Sequence, residues 1–306
     1  MASVALVGAG AIGLSFATVL EEAGAHDLVV CARRPLGRVV VVQEESGAEA
    51  ELRAPVVTDP LELAGPVDWL LLAVKAHQTA GAAAWLERLC GAFTKVVVLQ
   101  NGVEQRRLVE PLARGAEVIP AIVWLPAEMV EAGRVLARGQ AHMLVPDVDG
   151  GRELVRLYEG TSARIEPVED FLSESWRKLT GNAVAGLMVL SLRRAAMFRR
   201  DDVAELSHRL ALECIAVARA EGAQLPDSFA DDLVENFSVY PPDLGTSMLF
   251  DREAGRELEW DARNGVIRRL GAEHSIPTPV SDVIVPLLAA ASESPVTSHD
   301  VLRPRQ

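Results

Sequence analysis

The stretch VALVGAGAIGLSF, Val4 to Phe16, places three glycines between an apolar run and a segment with a helical pattern. Gly8, Gly10 and Gly13 have the spacing G-x-G-x-x-G. In this spacing the first glycine makes a tight turn, the second lets backbone approach a pyrophosphate, and the third lets the helix pack closely on the strand. A plain strand-to-helix turn is the alternative. Because strand, turn and helix follow in the required order, the stretch predicts a dinucleotide-binding turn made of Gly8, Ala9, Gly10, Ala11, Ile12 and Gly13.

Around this turn, the sequence up to about residue 168 alternates short β-rich runs with helical stretches. Four runs, SVALVG, HDLVVCA, VDWLLLAVK and KVVVLQNG, are almost continuously apolar, which is typical of parallel strands covered by helices on both faces. We therefore expect residues 1–168 to form an α/β domain with a Rossmann-type, doubly wound sheet whose first helix spans 14–23. Later runs alternate more, which favours an antiparallel or mixed extension of that sheet.

From Phe171 onward the pattern becomes helical and strand-like runs cease. One helical segment has Asp201 and Asp202 at its start and stops before Gly222, a typical terminator. Prolines in VYPPDLG and IPTPV are expected to break helices. Residues 169–306 are therefore predicted to form an all-helical second domain.

Composition and charge argue against several classes of function. The chain has 306 residues and a formal net charge of −13, which disfavours binding to nucleic acid. Its three cysteines, Cys31, Cys90 and Cys214, show no CxxC spacing, and no histidine stands at metal-ligand spacing, so we expect neither a disulfide framework nor a metal site. The start MASVALVGAG lacks a basic n-region, and no apolar run reaches the roughly 18 residues of a membrane span. These features predict a cytoplasmic protein with a small-molecule ligand and no membrane partner.

The end of the second predicted strand indicates which dinucleotide binds. An NAD enzyme usually has an Asp or Glu there for the ribose 2′-hydroxyl, but this chain reads VVCARRP, with Arg33 and Arg34. A guanidinium suits a 2′-phosphate, which favours NADP. The alternative is that both arginines are solvated surface residues.

Polar residues follow two further predicted strands. Lys75 ends WLLLAVKAHQ and Asn101 ends VVVLQNGVEQ. Ligands of an open parallel sheet bind beyond the carboxyl ends of its strands, so both residues are candidates for cofactor or substrate binding. A strand-end lysine that reaches solvent and an Asn-Gly turn are the alternatives.

The helical part supplies a second set of candidates. Lys178 and Asn182 are four residues apart and share a helix face, with Gly181 and Gly186 leaving room beside them. Partial desolvation of such a lysine lowers its pKa and makes it a better proton donor near neutrality. The alternative is a surface lysine that pairs with Glu174. By itself, the polar stretch GTSMLFDREAGRELEWDARNG predicts only a solvated loop and a helix cap.

Six motifs in order, GAGAIG, VKAHQ, QNGVE, WRKLTGN, TSMLFD and ELEWDARNG, make the chain resemble the ketopantoate reductase family nearly end to end. The resemblance implies an N-terminal Rossmann domain, a helical C-terminal domain and an active site between them. It also implies NADPH-dependent reduction of 2-dehydropantoate (2-ketopantoate) to pantoate in pantothenate synthesis. Lys178 would be the general acid, and Glu259 would hold the lysine or a substrate hydroxyl. The remaining roles it implies are a 2′-phosphate contact by Arg33, a place near the cofactor for Lys75, and cofactor and substrate contacts by Asn101. Asn182 and Ser247 would bind the keto acid, with Ser247 near its carboxylate.

One position departs from the family pattern. Gly186 stands where the family commonly has a second asparagine, which predicts a lost donor and a larger pocket. Loss of a partner for a substrate hydroxyl weakens specificity. A related reductase of another 2-keto acid or an imine therefore stays open. A non-catalytic NADPH-binding sensor is a separate alternative. The sequence does not set the oligomeric state, and a homodimer is one option.

Overall fold

The computed structural model describes residues 1–293. The chain divides into two compact units between Phe171 and Leu172. The first unit contains every strand found in the described residues, and its helices are α1 (Ala11–Glu22), α2 (Ala83–Leu89), α3 (Gln105–Val109) and α4 (Asp149–Leu157). Its strands are β1 (Ser3–Val7), β2 (Asp27–Cys31), β3 (Val39–Gln43), β4 (Glu49–Leu52), β5 (Val56–Val57), β6 (Trp69–Leu72), β7 (Lys95–Val98), β8 (Glu117–Pro120), β9 (Ile122–Trp124), β10 (Ala127–Glu131), β11 (Arg134–Ala137), β12 (His142–Pro146) and β13 (Arg164–Val168).

The main sheet has six strands in the order β5-β2-β1-β6-β7-β8, all parallel. Alternate residues of β1 point into two separate hydrophobic cores: Val4 and Leu6 lie in one, Ala5 and Val7 in the other. Both faces are therefore buried, which explains the continuous apolar runs and confirms the predicted doubly wound sheet. The strand order reverses between β1 and β6, and this is where ligands of such sheets bind.

The first helix begins earlier than the sequence pattern indicates. It spans Ala11–Glu22, directly after Gly10, whereas the prediction was 14–23. Gly13 lowers helix propensity, yet it lies inside the helix because close packing on β1 requires a residue without a side chain there. Tertiary packing thus moves the start of the helix toward the glycine turn.

Of the later strands in residues 1–293, β8 alone joins the main sheet, and it does so in parallel, so the predicted antiparallel or mixed extension was wrong. The other later strands lie outside the main sheet, as do β3 and β4. They form two further sheets, β10-β11-β3-β4 and β13-β12-β9, each with parallel and antiparallel pairs. Helix α1 packs against β1 of the main sheet and also against β4, β10 and β11. A second sheet can form here because α1 offers it an apolar surface.

The second unit contains only helices within residues 172–293, as predicted. They are α5 (Phe171–Ser191), α6 (Asp201–Ala220), α7 (Ser228–Val239), α8 (Ser247–Glu253), α9 (Val266–Glu273) and α10 (Pro279–Ser292). Helix α6 packs against α7, α9 and α10. Its buried Glu213 accepts hydrogen bonds from the backbone N–H groups of Val280 and Ser281 at 2.6 and 2.9 Å, which anchors the start of α10. Within the described residues, no helix has the length and apolarity that crossing a membrane requires.

Candidate active site

Two of the three glycines in the first turn are explained by backbone and packing. Gly8 has φ +110°, which disfavours residues with a side chain, and a Cβ there would lie 2.5 Å from the backbone N of Val74. A Cβ at Gly13 would lie 2.4 Å from the carbonyl oxygen of Gly8. Both glycines are therefore required by the fold itself.

Gly10 has no such structural reason. Its φ of −87° and ψ of 176° are open to most residues, and a Cβ there would meet no atom of the described residues within 4 Å. Gly10 caps α1 without a side-chain hydrogen bond, and the first turn of α1 carries no acidic residue. The N-terminus of the helix is thus left clear for an anion, which fits the pyrophosphate of a dinucleotide.

Arg33 and Arg34 follow β2 directly and are both exposed. Neither has an ion-pair partner within residues 1–293, unlike the nearby Arg38, which pairs with Glu51 at 3.2 Å. The structure therefore leaves two guanidinium groups available at the strand end where a 2′-phosphate would bind.

Lys75 and Asn101 follow the adjacent parallel strands β6 and β7 and are both half-buried. The loops that carry them are linked by the buried side chain of Gln100, whose amide donates to Val74 O at 3.0 Å and Thr79 Oγ1 at 2.8 Å. The sequence analysis missed Gln100, although an amide directly after an apolar strand was a signal for it. The structure thus holds the Lys75 and Asn101 loops together at one edge of the sheet.

The three thiols take no part in this arrangement. Cys31, Cys90 and Cys214 are buried and free. Burial raises the pKa of Cys31 to about 12 and that of Cys90 to about 11, and it raises the pKa of Cys214 as well. Since the nucleophilic form is the thiolate, these residues stay inert at neutral pH.

Lys178 lies on α5 and is half-buried. Its pKa is lowered from 10.5 to about 7, mainly by desolvation and also by the charge of Arg263, while the carboxylate of Glu259 opposes the shift. Glu174, the alternative partner considered from the sequence, pairs instead with Arg177 at 3.3 Å. A lysine with a pKa near 7 exchanges a proton readily at neutral pH.

Glu259 and Arg263 are buried, with only 8% and 3% of their surfaces exposed. The sequence alone predicted a solvated loop here, and this is wrong for both residues. The Nη2 of Arg263 lies 3.6 Å from Oε2 of Glu259 and donates a hydrogen bond to Ser247 Oγ at 2.9 Å. Ser247 begins α8, is exposed, and follows Thr246, whose hydroxyl caps the helix. The sequence analysis missed Arg263, and its position four residues after Glu259 was the available signal.

A π-helical turn, Asp261–Gly265, precedes α9. Such turns are rare and occur frequently at functional sites. This one places Arg263 and Asn264 inside the unit, and Asn264 has only 1% of its surface exposed. Its Nδ2 donates to the carbonyl oxygen of Ala183 on α5 at 3.0 Å. The turn therefore connects the Glu259 segment to the helix that carries Lys178.

The larger pocket predicted beside Gly186 is not there. A Cβ at Gly186 would lie 3.0 Å from Oδ1 and 3.1 Å from Nδ2 of Asn264, so the amide of Asn264 fills the space. At Gly181, by contrast, a Cβ would meet only Cδ1 of Leu233, at 3.8 Å. The prediction failed because the sequence does not show which neighbouring side chain packs against a glycine.

The predicted residues therefore form two groups. In the helical unit, Arg263 contacts Glu259 and Ser247, and its charge acts on Lys178; Asn182 is half-buried one turn after Lys178 on α5. The glycine turn, Arg33, Lys75 and Asn101 lie at the carboxyl ends of the strands of the sheet unit. In residues 1–293, no three His, Cys, Asp or Glu side chains form a cluster suited to a metal.

Comparison with known proteins matches both parts of the chain to one family. The model of the family "Ketopantoate reductase PanE/ApbA" matches residues 4–150, and its C-terminal counterpart matches residues 170–292. The chain is 50% identical over 293 residues to the 2-dehydropantoate 2-reductase of Mycobacterium tuberculosis H37Rv, covering 95% of this chain and 98% of that protein. It is 37% identical over 292 residues to the 2-dehydropantoate 2-reductase of Caulobacter vibrioides, covering 95% and 100%. The structure of a dimeric ketopantoate reductase from Staphylococcus aureus has the same fold, with a TM-score of 0.85, 24% identity and coverage of 95% and 99%.

Proposed function

This chain belongs to the ketopantoate reductase family and is an oxidoreductase of the 2-dehydropantoate 2-reductase type, and we propose that it reduces 2-dehydropantoate to pantoate with NADPH, using Lys178 as the general acid. This step would serve pantothenate synthesis. The observation that carries the proposal is the environment of Lys178, which lowers its pKa to about 7 beside Glu259 and Arg263. An acid with this pKa is matched to proton transfer at neutral pH.

The proposed cofactor is supported by the sheet unit. NADPH, when bound, supplies the hydride that reduces the ketone carbon. Gly10 would leave room for the pyrophosphate at the start of α1, and Arg33 would bind the 2′-phosphate. The turn residues from Gly8 to Gly13 and the side chains of Lys75 and Asn101 would complete the binding site at the strand ends.

In the proposed mechanism, the helical unit provides the proton and binds the substrate. Reduction of the ketone places negative charge on its oxygen, and Lys178 Nζ donates a proton to that oxygen. Glu259 would hold the lysine or a substrate hydroxyl. Asn182 and Ser247 would bind the 2-keto acid, and Asn101 would contact both the substrate and the nicotinamide ribose.

The test is initial-rate oxidation of NADPH by the purified protein with 2-ketopantoate, compared with NADH and with larger 2-keto acids. We expect turnover of ketopantoate with NADPH preferred. NADPH binding without ketopantoate turnover would contradict the proposed substrate. Turnover of a larger 2-keto acid or an imine instead would assign a related reductase.

Lys178→Ala tests the role of the acid. We expect turnover to be lost while the affinity for NADPH, measured by its fluorescence, stays unchanged. The matched control is Arg177→Ala, which removes a neighbouring cation that pairs with Glu174 and lies over the ring of Phe229. If neither the wild type nor Lys178→Ala turns over ketopantoate and both bind NADPH equally, a non-catalytic NADPH-binding sensor is favoured. Equal turnover by both would show that Lys178 is not the acid.

The cytoplasmic location and the homodimer stay predictions. Light scattering of the purified protein measures its mass in solution and decides between monomer and dimer.

A further inference from the structure

Arg263 is a buried cation with an incomplete set of partners. Only 3% of its surface is exposed, and its Nε has no hydrogen-bond partner in the part of the chain that the structure describes. Its Nη2 donates to Ser247 Oγ at 2.9 Å, and its contact with the Glu259 carboxylate is longer, at 3.6 Å. Buried charges are usually paired and fully hydrogen-bonded, so Arg263 has donor capacity to offer a ligand.

The local charge also favours an anion. Protonated Lys178 and Arg263 are two cations, and Glu259 is the carboxylate that acts on both. One positive charge is therefore left in excess within this group when Lys178 carries its proton. Ser247, the hydrogen-bond partner of Arg263, is exposed, so the arginine–serine pair extends from the interior to the surface of the unit.

We propose that Arg263 binds the carboxylate of the 2-keto acid substrate, beside the hydroxyl of Ser247 that the family resemblance already implies near that carboxylate. This inference rests on the proposed function and assigns to it a substrate-binding residue that the sequence patterns did not indicate. The planar guanidinium group has a fork of N–H donors that matches a carboxylate. Because Arg263 is buried, its attraction to a carboxylate is stronger than that of an exposed arginine, since the effective dielectric constant is lower inside the protein.

Carboxylate binding at Arg263 also couples substrate binding to the acid. The charge of Arg263 lowers the pKa of Lys178 in the free protein. A carboxylate beside the guanidinium offsets that charge, so the pKa of Lys178 rises when the substrate is bound. The lysine therefore holds its proton more firmly in the complex, where the proton is needed.

The inference is tested with pantoate, which has a carboxylate, and with pantoamide, which has a neutral carboxamide in its place. Their dissociation constants are measured by calorimetry at neutral pH with saturating NADP⁺. We expect the wild type to favour pantoate by about 100-fold, and Arg263→Gln to reduce this preference to below about 5-fold, because charge-assisted hydrogen bonds are lost. Arg263→Lys keeps the positive charge but not the forked N–H donors, so its preference for pantoate should lie between those of the wild type and Arg263→Gln.

Arg268→Gln is the matched control. It removes a cation from the neighbouring helix α9, where Arg268 is exposed and pairs with Asp282 at 2.8 Å. We expect it to keep the wild-type preference for pantoate. In Arg263→Gln, the KM for ketopantoate should rise by a larger factor than kcat falls, whereas general damage to the helical unit, which also carries Lys178, would lower kcat as well.

The outcomes separate this inference from the proposed function. If the wild type does not turn over ketopantoate, the proposed function fails. If the wild type turns it over and Arg263→Gln keeps the preference for pantoate, the role of Arg263 is overturned and the function stands. If Arg263→Gln does not fold, the wild type and Arg263→Lys are compared instead. A wild-type preference for pantoate over pantoamide below about 5-fold would show that no buried cation recognises the carboxylate.

Discussion

The side-chain amide of Asn264 lies against Gly186, with Oδ1 and Nδ2 only 3.0 and 3.1 Å from where a Cβ at position 186 would stand. The amide is fixed there by its hydrogen bond to the carbonyl oxygen of Ala183. Gly186 is therefore a packing requirement of the π-helical turn, Asp261–Gly265. Any change at position 186 must move a buried polar group.

This contact predicts opposite effects for two alanine substitutions on α5. Gly181→Ala should stabilise the protein by about 0.5–1 kcal/mol, because its Cβ meets only an ordinary contact and alanine suits a helix better. Gly186→Ala should destabilise it by about 1–2 kcal/mol, because the Cβ crowds Asn264. Urea unfolding measures both. A Gly186→Ala variant as stable as Gly181→Ala would contradict the packing described for Asn264.

The pKa of Lys178 predicts how the rate depends on pH. With a pKa of about 7, the protonated acid is lost as the pH rises, so kcat/KM for ketopantoate should fall about tenfold per unit above pH 7. Pantoate oxidation with NADP⁺ needs the neutral amine, so its kcat/KM should rise up to about pH 7 and then level off. We therefore expect kcat/KM to fall with pH for ketopantoate reduction and to rise with pH for pantoate oxidation. Profiles with the same slope in both directions would exclude Lys178 as the titrating group.

The same shift makes a prediction about stability. The pKa of Lys178 is lowered on folding, from 10.5 to about 7, so between these values the unfolded chain binds more protons than the folded protein. The free energy of unfolding therefore increases as the pH rises from 7 toward 10.5, which means that the folded protein becomes more stable. Lys178→Met lacks this contribution and should be more stable than the wild type at pH 7, with the difference shrinking by pH 10. Urea unfolding at both pH values measures it, and a difference independent of pH would contradict the shift.

The fold of the sheet unit could be predicted wherever burial imposes a local pattern. Strands β1, β2, β6 and β7 are almost continuously apolar because both faces of the sheet are covered, and this pattern is visible in a short window of sequence. The pairing of β3 could not be predicted in this way: its four valines favour a strand, but its parallel partner is β11, more than ninety residues later. Pairing across such a separation leaves no periodicity in either segment alone.

The candidate site divides in the same way. The positions of Gly10 at a strand-to-helix turn and of Arg33 at a strand end could be predicted, because both follow from local sequence. The burial of Glu259 and Arg263 could not be predicted, since their segment is polar and its burial comes from packing against other helices. The inward position of Asn264 depends on a π-helical turn, which departs from the helical period that sequence patterns follow.

Arg33 predicts the cofactor preference. Arg33→Ser should lower kcat/KM for NADPH by about 10- to 100-fold, the value of a charge-assisted hydrogen bond, and change kcat/KM for NADH little, since NADH lacks the 2′-phosphate. Arg38→Ser is the matched control, because Arg38 is a nearby exposed arginine that already pairs with Glu51. Steady-state rates with both cofactors measure the preference. Equal losses with NADPH and NADH would show that Arg33 does not contact the 2′-phosphate.

Substitutions at Gly10 and Gly13 should have different effects, the first on NADPH binding and the second on stability. Gly10→Ala should keep the stability of the wild type, because the backbone at Gly10 suits alanine and its Cβ would meet no described atom within 4 Å. It should weaken NADPH binding by at least about tenfold, since the methyl group occupies space that the pyrophosphate needs. Gly13→Ala should instead destabilise the protein, because its Cβ would lie 2.4 Å from the carbonyl oxygen of Gly8. Fluorescence titration with NADPH and thermal unfolding of both variants measure these effects. If Gly10→Ala binds NADPH as tightly as the wild type, the space above Gly10 is not where the pyrophosphate lies.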